Sequence, residues 1–375
     1  MLAQAEADDL LRTPLAYESH GSSLAHEGHS LVSFASNDYL GLANHRELRQ
    51  ALALGAERCA GPGSSRVVAG TCLAHREAEA ALAAHVHLPA ARLFSSAYAA
   101  NLGLLGSLFG PGDLLLSDSL NHASLIDGCR LSRAHVKVFR HGDMDHLGEL
   151  LRAHRSSASV AAVVTETAFS MDGDVADVGK LRRIASEHAC ALVVDEAHAL
   201  GIMGPRGVGV CGQAGVRPDV LVGGLGKAFG LVGGFVAGST SLARALDNFG
   251  RTFVFSTAIL PAIACAVPTS VHLVQQAVSE RALLHAHANT LRDAVRLAGC
   301  GSGQPPAVIV PVLLGSPDRA MQATARLRAR GFLVPAMRPP TVPVGTSRLR
   351  ITPSALHTQA EVTALCLALA DAVRP

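Results

Sequence analysis

A chain of 375 residues that is 49% hydrophobic and 17% charged has room for two or three domains with a substantial buried core, which excludes a disulfide-stapled miniprotein. Its net charge of +2, from 32 basic and 30 acidic residues with no block of one sign, excludes a nucleic-acid track and a membrane-surface patch. Eight cysteines without a single C-x-x-C pair argue against a structural zinc site or a redox couple. The N-terminus carries Glu6, Asp8 and Asp9 where an export leader is basic and then apolar, so a cytoplasmic protein is expected. Residues 1–45 read as an arm with one short strand at Leu31–Phe34.

From residue 46 to 261 short apolar runs recur: Leu93-Phe94, Leu114–Leu116, Val136–Phe139, Val160–Val164, Ala191–Val194 and Val220–Val222. Stretches that read as helix separate them. Continuous apolar strands alternating with helices predict an α/β domain, a mostly parallel sheet covered on both faces. Ligands bind such sheets beyond the carboxyl ends of the strands. Those ends are polar: Ser95–Tyr98, Ser117-Asp118 followed by His122, Thr165-Glu166, Asp195–His198 and Gly223–Lys227. Gly233–Gly238 reads as one more strand. Between Arg251 and Glu280 no charged residue appears, but Ser256, Thr257, Pro261, Pro268, His272 and Gln275 interrupt the stretch, so a buried strand and helix is expected rather than a membrane span. Residues 262–375 read as a smaller α+β domain, with a helix from 262 to 280, a strand at Ala307–Leu314, a helix at Asp318–Arg330 and a strand at Arg348–Thr352.

Two motifs need weighing. Val193–His198 ends in Asp-Glu-Ala-His, as helicase magnesium sites do, but a phosphate-cradling G-x-x-x-x-G-K-S/T loop ending at Lys227 fails at Leu221 and Ala228. Gly207–Gly212 matches G-x-G-x-x-G yet follows Gly-Pro-Arg instead of a strand, so a glycine-rich turn is expected there.

Lys227 is one of three lysines against 29 arginines, and it stands in a small-residue turn directly after a buried strand. A partly desolvated amine there suits covalent attachment to a carbonyl. Asp195 closes the preceding strand, where an acid can hold a cofactor's ring nitrogen protonated, and His198 follows three residues on.

These residues, with Ser36–Leu42, Gly61–Arg66, Tyr98–Asn101, Asn121–Ser124 and Phe169–Asp174, resemble the α-oxoamine synthases nearly end to end. These are pyridoxal-phosphate enzymes of fold type I that condense an amino acid with an acyl thioester and lose carbon dioxide. Met337–Arg350 points to the member that joins L-alanine to pimeloyl-CoA or a pimeloyl carrier protein, early in biotin synthesis. The resemblance implies that Lys227 bonds the cofactor aldehyde, Asp195 the ring nitrogen and His198 the ring hydroxyl, and that His122 stacks on the ring and touches substrate. It places Ala97, Tyr98, Glu166, Ser170 and Gly224 around the cofactor. Arg338 would hold the amino-acid carboxylate, and Arg12, Asn37 and Thr341 would contact substrate. Ser256-Thr257 would reach the phosphate of a neighbouring subunit, implying a homodimer with shared sites. Gly224 stands where relatives often carry Thr, Ala97 where Gly is usual, and Pro62 and Ser64 where Ser and Gly are frequent, so weaker cofactor retention is expected. Glycine- or serine-using siblings and a non-catalytic partner subunit are the rival readings.

Overall fold

The structure, a computed structural model, describes residues 10–301 and 307–374. The acidic stretch at Glu6–Asp9, from which an export leader is argued against, lies outside the described residues. Among the described residues no helix is long and apolar enough to cross a membrane. The chain divides into two compact units. The larger comprises Leu42–Phe169 and Val175–Ala277, and the smaller gathers the described residues of Met1–Gly41, Ser170–Asp174 and Val278–Pro375. Expected breaks after residues 45 and 261 thus fall at 41 and 277 instead. The second shift has a packing reason: helix Pro261–Gln276 buries Ala264, Val267, Val271 and Val274 and lies against helices Arg46–Arg58 and Leu73–His85 of the larger unit. The helix expected from 262 to 280 ends at Gln276, and a second helix, Val278–Leu297, follows.

The larger unit is built on seven strands: β1 (Ala90–Phe94), β2 (Leu114–Asp118), β3 (His135–Phe139), β4 (Ala161–Glu166), β5 (Ala191–Asp195), β6 (Val220–Gly224) and β7 (Gly234–Gly238). Their order is β1-β7-β6-β5-β4-β2-β3, with β7 antiparallel to both its neighbours and the others parallel. Every residue of β2, β4, β6 and β7 is buried, as strands covered on both faces require. β3 closes one edge with exposed His135 and Val138 on either side of Lys137, a charge that discourages further pairing. Helices Ala97–Leu108 and Ala123–Ser132 cover one face, packing Ala100, Leu104, Leu105, Leu125 and Cys129 on the sheet. They approach closely at Gly128, where a Cβ would lie 3.0 Å from the carbonyl oxygen of Asn101.

In the smaller unit the expected arm is a three-stranded meander, Glu18–His20, Ser23–His26 and His29–Ser33, with Phe332–Leu333 added in parallel. Its second turn has Glu27 at φ 51° and Gly28 at φ 79°, the left-handed pair that a two-residue hairpin needs. Val310–Gly315, Ser347–Ile351 and Ala336–Met337 form a second, antiparallel sheet. All eight cysteines are free thiols.

Candidate active site

Because β1, β2, β4, β5 and β6 run parallel, their carboxyl ends share one edge of the sheet. Glu166, Asp195 and Gly224 are the last residues of β4, β5 and β6. His122 caps helix Ala123–Ser132 beyond β2, and Ala97 and Tyr98 open helix Ala97–Leu108 beyond β1. Lys227, half-buried, lies three residues past β6. Its turn is tied down by Gly230 N–H donating to Lys227 O at 2.9 Å and by Ser270 Oγ donating to Phe229 O at 2.6 Å. Gly230 is required there: at φ 66° it approaches so closely that a Cβ would sit 2.5 Å from the carbonyl carbon of Leu42.

Asp195 is buried, and its two oxygens accept from Asn101 Nδ2 at 2.7 Å and from Ala197 N–H at 2.8 Å. His198 is also buried, one turn on. Glu166 accepts from His122 N–H at 2.7 Å, and burial together with the Asp195 charge pushes its carboxyl up to about 8. Asn121 spans β2 and β4 behind it, donating to Ser117 Oγ at 2.9 Å and Val164 O at 2.8 Å while accepting from Glu166 N–H at 3.1 Å. The His122 ring is open to solvent on one side, yet desolvation by the surrounding protein holds it below the ordinary histidine value. The charge of Asp195 opposes that shift and the charge of Lys227 reinforces it. Tyr98 meets His122 edge-on, with ring centroids 6.2 Å apart, and donates its phenol proton to Asp127.

Gly224 faces two alanines. A Cβ there would lie 3.2 Å from Ala197 Cβ and 3.7 Å from Ala97 Cβ, so any larger side chain pushes on Ala197. Thr257 pairs with Ser65 as an isolated bridge, Ala258 N–H donates to Ser64 O at 3.0 Å, and Ser256 Oγ donates to Thr257 O at 3.3 Å. The glycine run at 207–212 forms a 3-10 turn, Pro205–Gly207, and a five-residue helix, Gly209–Gln213. It wraps a buried acid: Val210 and Cys211 N–H donate to Glu196 at 2.9 and 2.8 Å, and a Cβ on Gly209 would lie 1.7 Å from Glu196 Oε2. Burial pushes Glu196 up to about 7.

Ser170 belongs to the smaller unit. There its carbonyl accepts from Arg350 Nε at 2.6 Å, while Arg350 Nη2 donates to Asn37 Oδ1 at 3.1 Å. Arg12 donates to Thr341 Oγ1 at 2.7 Å, and buried Arg338 donates to Leu11 O at 3.3 Å. The smaller unit therefore gathers Arg12, Arg338 and Thr341 in one place, and Asn37 with Ser170 in another. Asn101, Ser124 and Arg350 are functional candidates that sequence reasoning assigned no role. The signal for Asn101 was available: a lone amide inside an otherwise apolar helix must find a buried partner.

A family model described as aminotransferase class I and II matches residues 29–369. An 8-amino-7-oxononanoate synthase of Methylococcus capsulatus is 44% identical over 377 residues, covering 99% of this chain and 97% of that protein. A solved serine palmitoyltransferase of S. paucimobilis with bound PLP and myriocin superposes with TM-score 0.94 at 28% identity, covering 99% of this chain and 96% of its own. A solved 8-amino-7-oxononanoate synthase of Francisella tularensis gives TM-score 0.79 at 25% identity, covering 92% of this chain and 98% of its own.

Proposed function

The chain belongs to the aminotransferase class I and II family, in its α-oxoamine synthase group, and from that premise we propose that it condenses L-alanine with a pimeloyl thioester, releasing carbon dioxide and the free carrier. The product is 8-amino-7-oxononanoate, the compound named by its full-length relatives, and the step serves biotin synthesis. The observation that carries the reading is the shared strand edge, where Lys227, Glu166, His122 and a doubly bonded Asp195 come together.

The enzyme uses pyridoxal phosphate. The residues present fit that group on three counts. Asp195 is a buried carboxylate fixed by two donors and suited to a protonated ring nitrogen, and Lys227 offers a half-buried amine. The first amides of the twelve-residue helix at Ala97 and Tyr98 have no partner within the helix, as a phosphate site requires. In this reading Asp195 holds the ring nitrogen, His198 the ring hydroxyl, Lys227 the aldehyde carbon, and Ala97 and Tyr98 the phosphate, with Glu166, Ser170 and Gly224 lining the site. When bound, the cofactor supplies an electron sink for the charge left by a lost proton or carboxylate.

Arg338 orients the alanine carboxylate, and Arg12, Asn37 and Thr341 contact the substrates. Lys227 takes the alanine α-proton and returns a proton after carbon dioxide leaves. His122 polarises the carbonyl under attack. The reading includes a cytoplasmic homodimer in which Ser256-Thr257 serves the partner's phosphate. Exposed Phe255 beside that pair supports this, and sedimentation of the purified protein decides it.

Borohydride reduction of the cofactor-loaded protein followed by peptide mapping tests the assignment. A pyridoxyl adduct on Lys227 is expected, and an adduct at any other residue overturns it. The structural likeness to a serine palmitoyltransferase favours one second reading, serine with another acyl thioester. The 44% identity to an 8-amino-7-oxononanoate synthase, against 28% to the serine palmitoyltransferase, favours alanine, and an amino-acid and acyl-thioester panel, including CoA and carrier-protein donors, tests that choice.

A further inference from the structure

Helix Ala97–Leu108 carries one side chain its apolar surroundings do not ask for. Asn101 is fully buried, and its Nδ2 donates one hydrogen to Asp195 Oδ2 at 2.7 Å and the other to Ser124 Oγ at 2.9 Å. Its Oδ1 is buried without a hydrogen-bond partner. Turning the amide over would set that oxygen against a carboxylate oxygen, acceptor facing acceptor, so Asp195 decides which way Asn101 points. A leucine there would avoid the orphaned carbonyl but would take this donor away from both Asp195 Oδ2 and Ser124 Oγ.

From Asn101 outward each hydrogen is accounted for. Ser124 Oγ accepts from Asn101, which leaves its own proton for His122 Nδ1, 2.8 Å away. The backbone N–H of Ser124 points at the same nitrogen, at 3.2 Å. A ring nitrogen that receives two donors holds a lone pair, so the proton of the neutral imidazole sits on the opposite nitrogen, Nε2. The hydroxyl contact is the shorter of the two, 2.8 against 3.2 Å, and is the one that the side chains of Asn101 and Ser124 control.

We propose that Asn101 and Ser124 are positioning residues that transmit the orientation of Asp195 to His122 and hold its imidazole as the neutral Nε2–H tautomer, so that His122 serves the condensation as a hydrogen-bond donor and leaves base chemistry to Lys227. This rests on the reading of His122 as the residue that meets the reacting carbonyl. The groups around the ring come from every element packed on it: Asp195 from β5, Glu166 from β4, Lys227 from the turn after β6, Asp127 from the ring's own helix and Tyr98 from the neighbouring one. Asp195 and Asp127 favour a charged ring, Lys227 opposes it, and desolvation outweighs them.

Long-range proton–nitrogen correlation spectra of full-length protein labelled at histidine nitrogens test this directly, with His122 assigned by the signals lost in His122→Asn. The unsubstituted protein is expected to show Nε2 protonated and Nδ1 bare from about pH 6 to 8. Ser124→Ala and Asn101→Leu are expected to give mixed tautomers and a titration midpoint raised by about one pH unit, and Ser124→Thr to restore the original spectrum. Should Asn101→Leu not fold, the two Ser124 variants carry the test alone. A proton on Nδ1 in the unsubstituted protein at neutral pH, or His122 signals unchanged in Ser124→Ala, overturns the proposal. Because the tautomer is read without substrate, its failure is distinguishable from a failure to condense alanine.

Discussion

The strand-end edge of the larger unit and the arginine-bearing loops of the smaller one are built on opposite plans. At the edge, acids dominate: Asp195 and Glu166 are buried, and each side chain is held by donors from the turns and helices that follow the strands. In the smaller unit the charged groups named are cations: Arg12 donates to the Thr341 hydroxyl and Arg338 to the Leu11 carbonyl, and guanidinium groups pair strongly with carboxylates. The first plan suits steps in which protons move and charge develops. The second suits capture of anionic substrates.

Kinetics separate the two plans. Lys227→Ala is expected to lower kcat roughly a thousandfold or more, measured as product formed from L-alanine and pimeloyl-CoA by mass spectrometry. Arg338→Ala is expected instead to raise the KM for alanine by about 10- to 100-fold with much less change in kcat. If Arg338→Ala behaves like Lys227→Ala, the division between chemistry and capture is broken.

The edge itself sharpens under pH. Burial and the Asp195 charge raise folded Glu166 to about 8 and burial raises Glu196 to about 7, both above the ordinary carboxylate value of 4.5. Across that window the native state binds more protons than the unfolded one, so both acids contribute stability that is complete below about 4.5 and is lost as pH climbs toward about 8. Glu166→Gln keeps an acceptor for His122 N–H and removes the titration, so denaturation midpoints of this variant are expected to fall less between pH 5 and pH 8 than those of the parent. A parent-like slope would show that Glu166 is ionised in the folded protein. The smallest effect is expected at Gly224. Because a Cβ there meets Ala197 at 3.2 Å, Gly224→Ser is expected to tighten pyridoxal phosphate binding by about threefold to tenfold through a hydroxyl contact to phosphate, and Gly224→Thr to gain less. Absorbance titration with the cofactor measures both.

Local signals made several of these residues legible. Lys227, Asp195 and His122 lie at or just beyond apolar strands that announce themselves as runs of Val, Leu and Ala, and a parallel sheet gathers the residues at its strand ends along one edge. The glycine run at 207–212 was readable as a turn, but its partner was not, because Gly209 answers to a carboxylate thirteen positions earlier in the chain. Strand β1 was legible only at Leu93-Phe94, since Ala90–Arg92 carries little strand preference and gains its place by pairing with β7.

The sequence by itself determined the α/β character of the larger unit and which polar residues stand at its strand ends, because both depend on residues adjacent in the chain. Only the tertiary structure decided that Asn101 reaches Asp195 across 94 positions, that helix Pro261–Gln276 belongs to the larger unit, and that Ser170 joins Arg350 in the smaller one. Those outcomes turn on which buried polar group finds which partner and which apolar face finds which neighbour. Such matches are made in space after the chain has collapsed, so no local stretch of sequence encodes them alone.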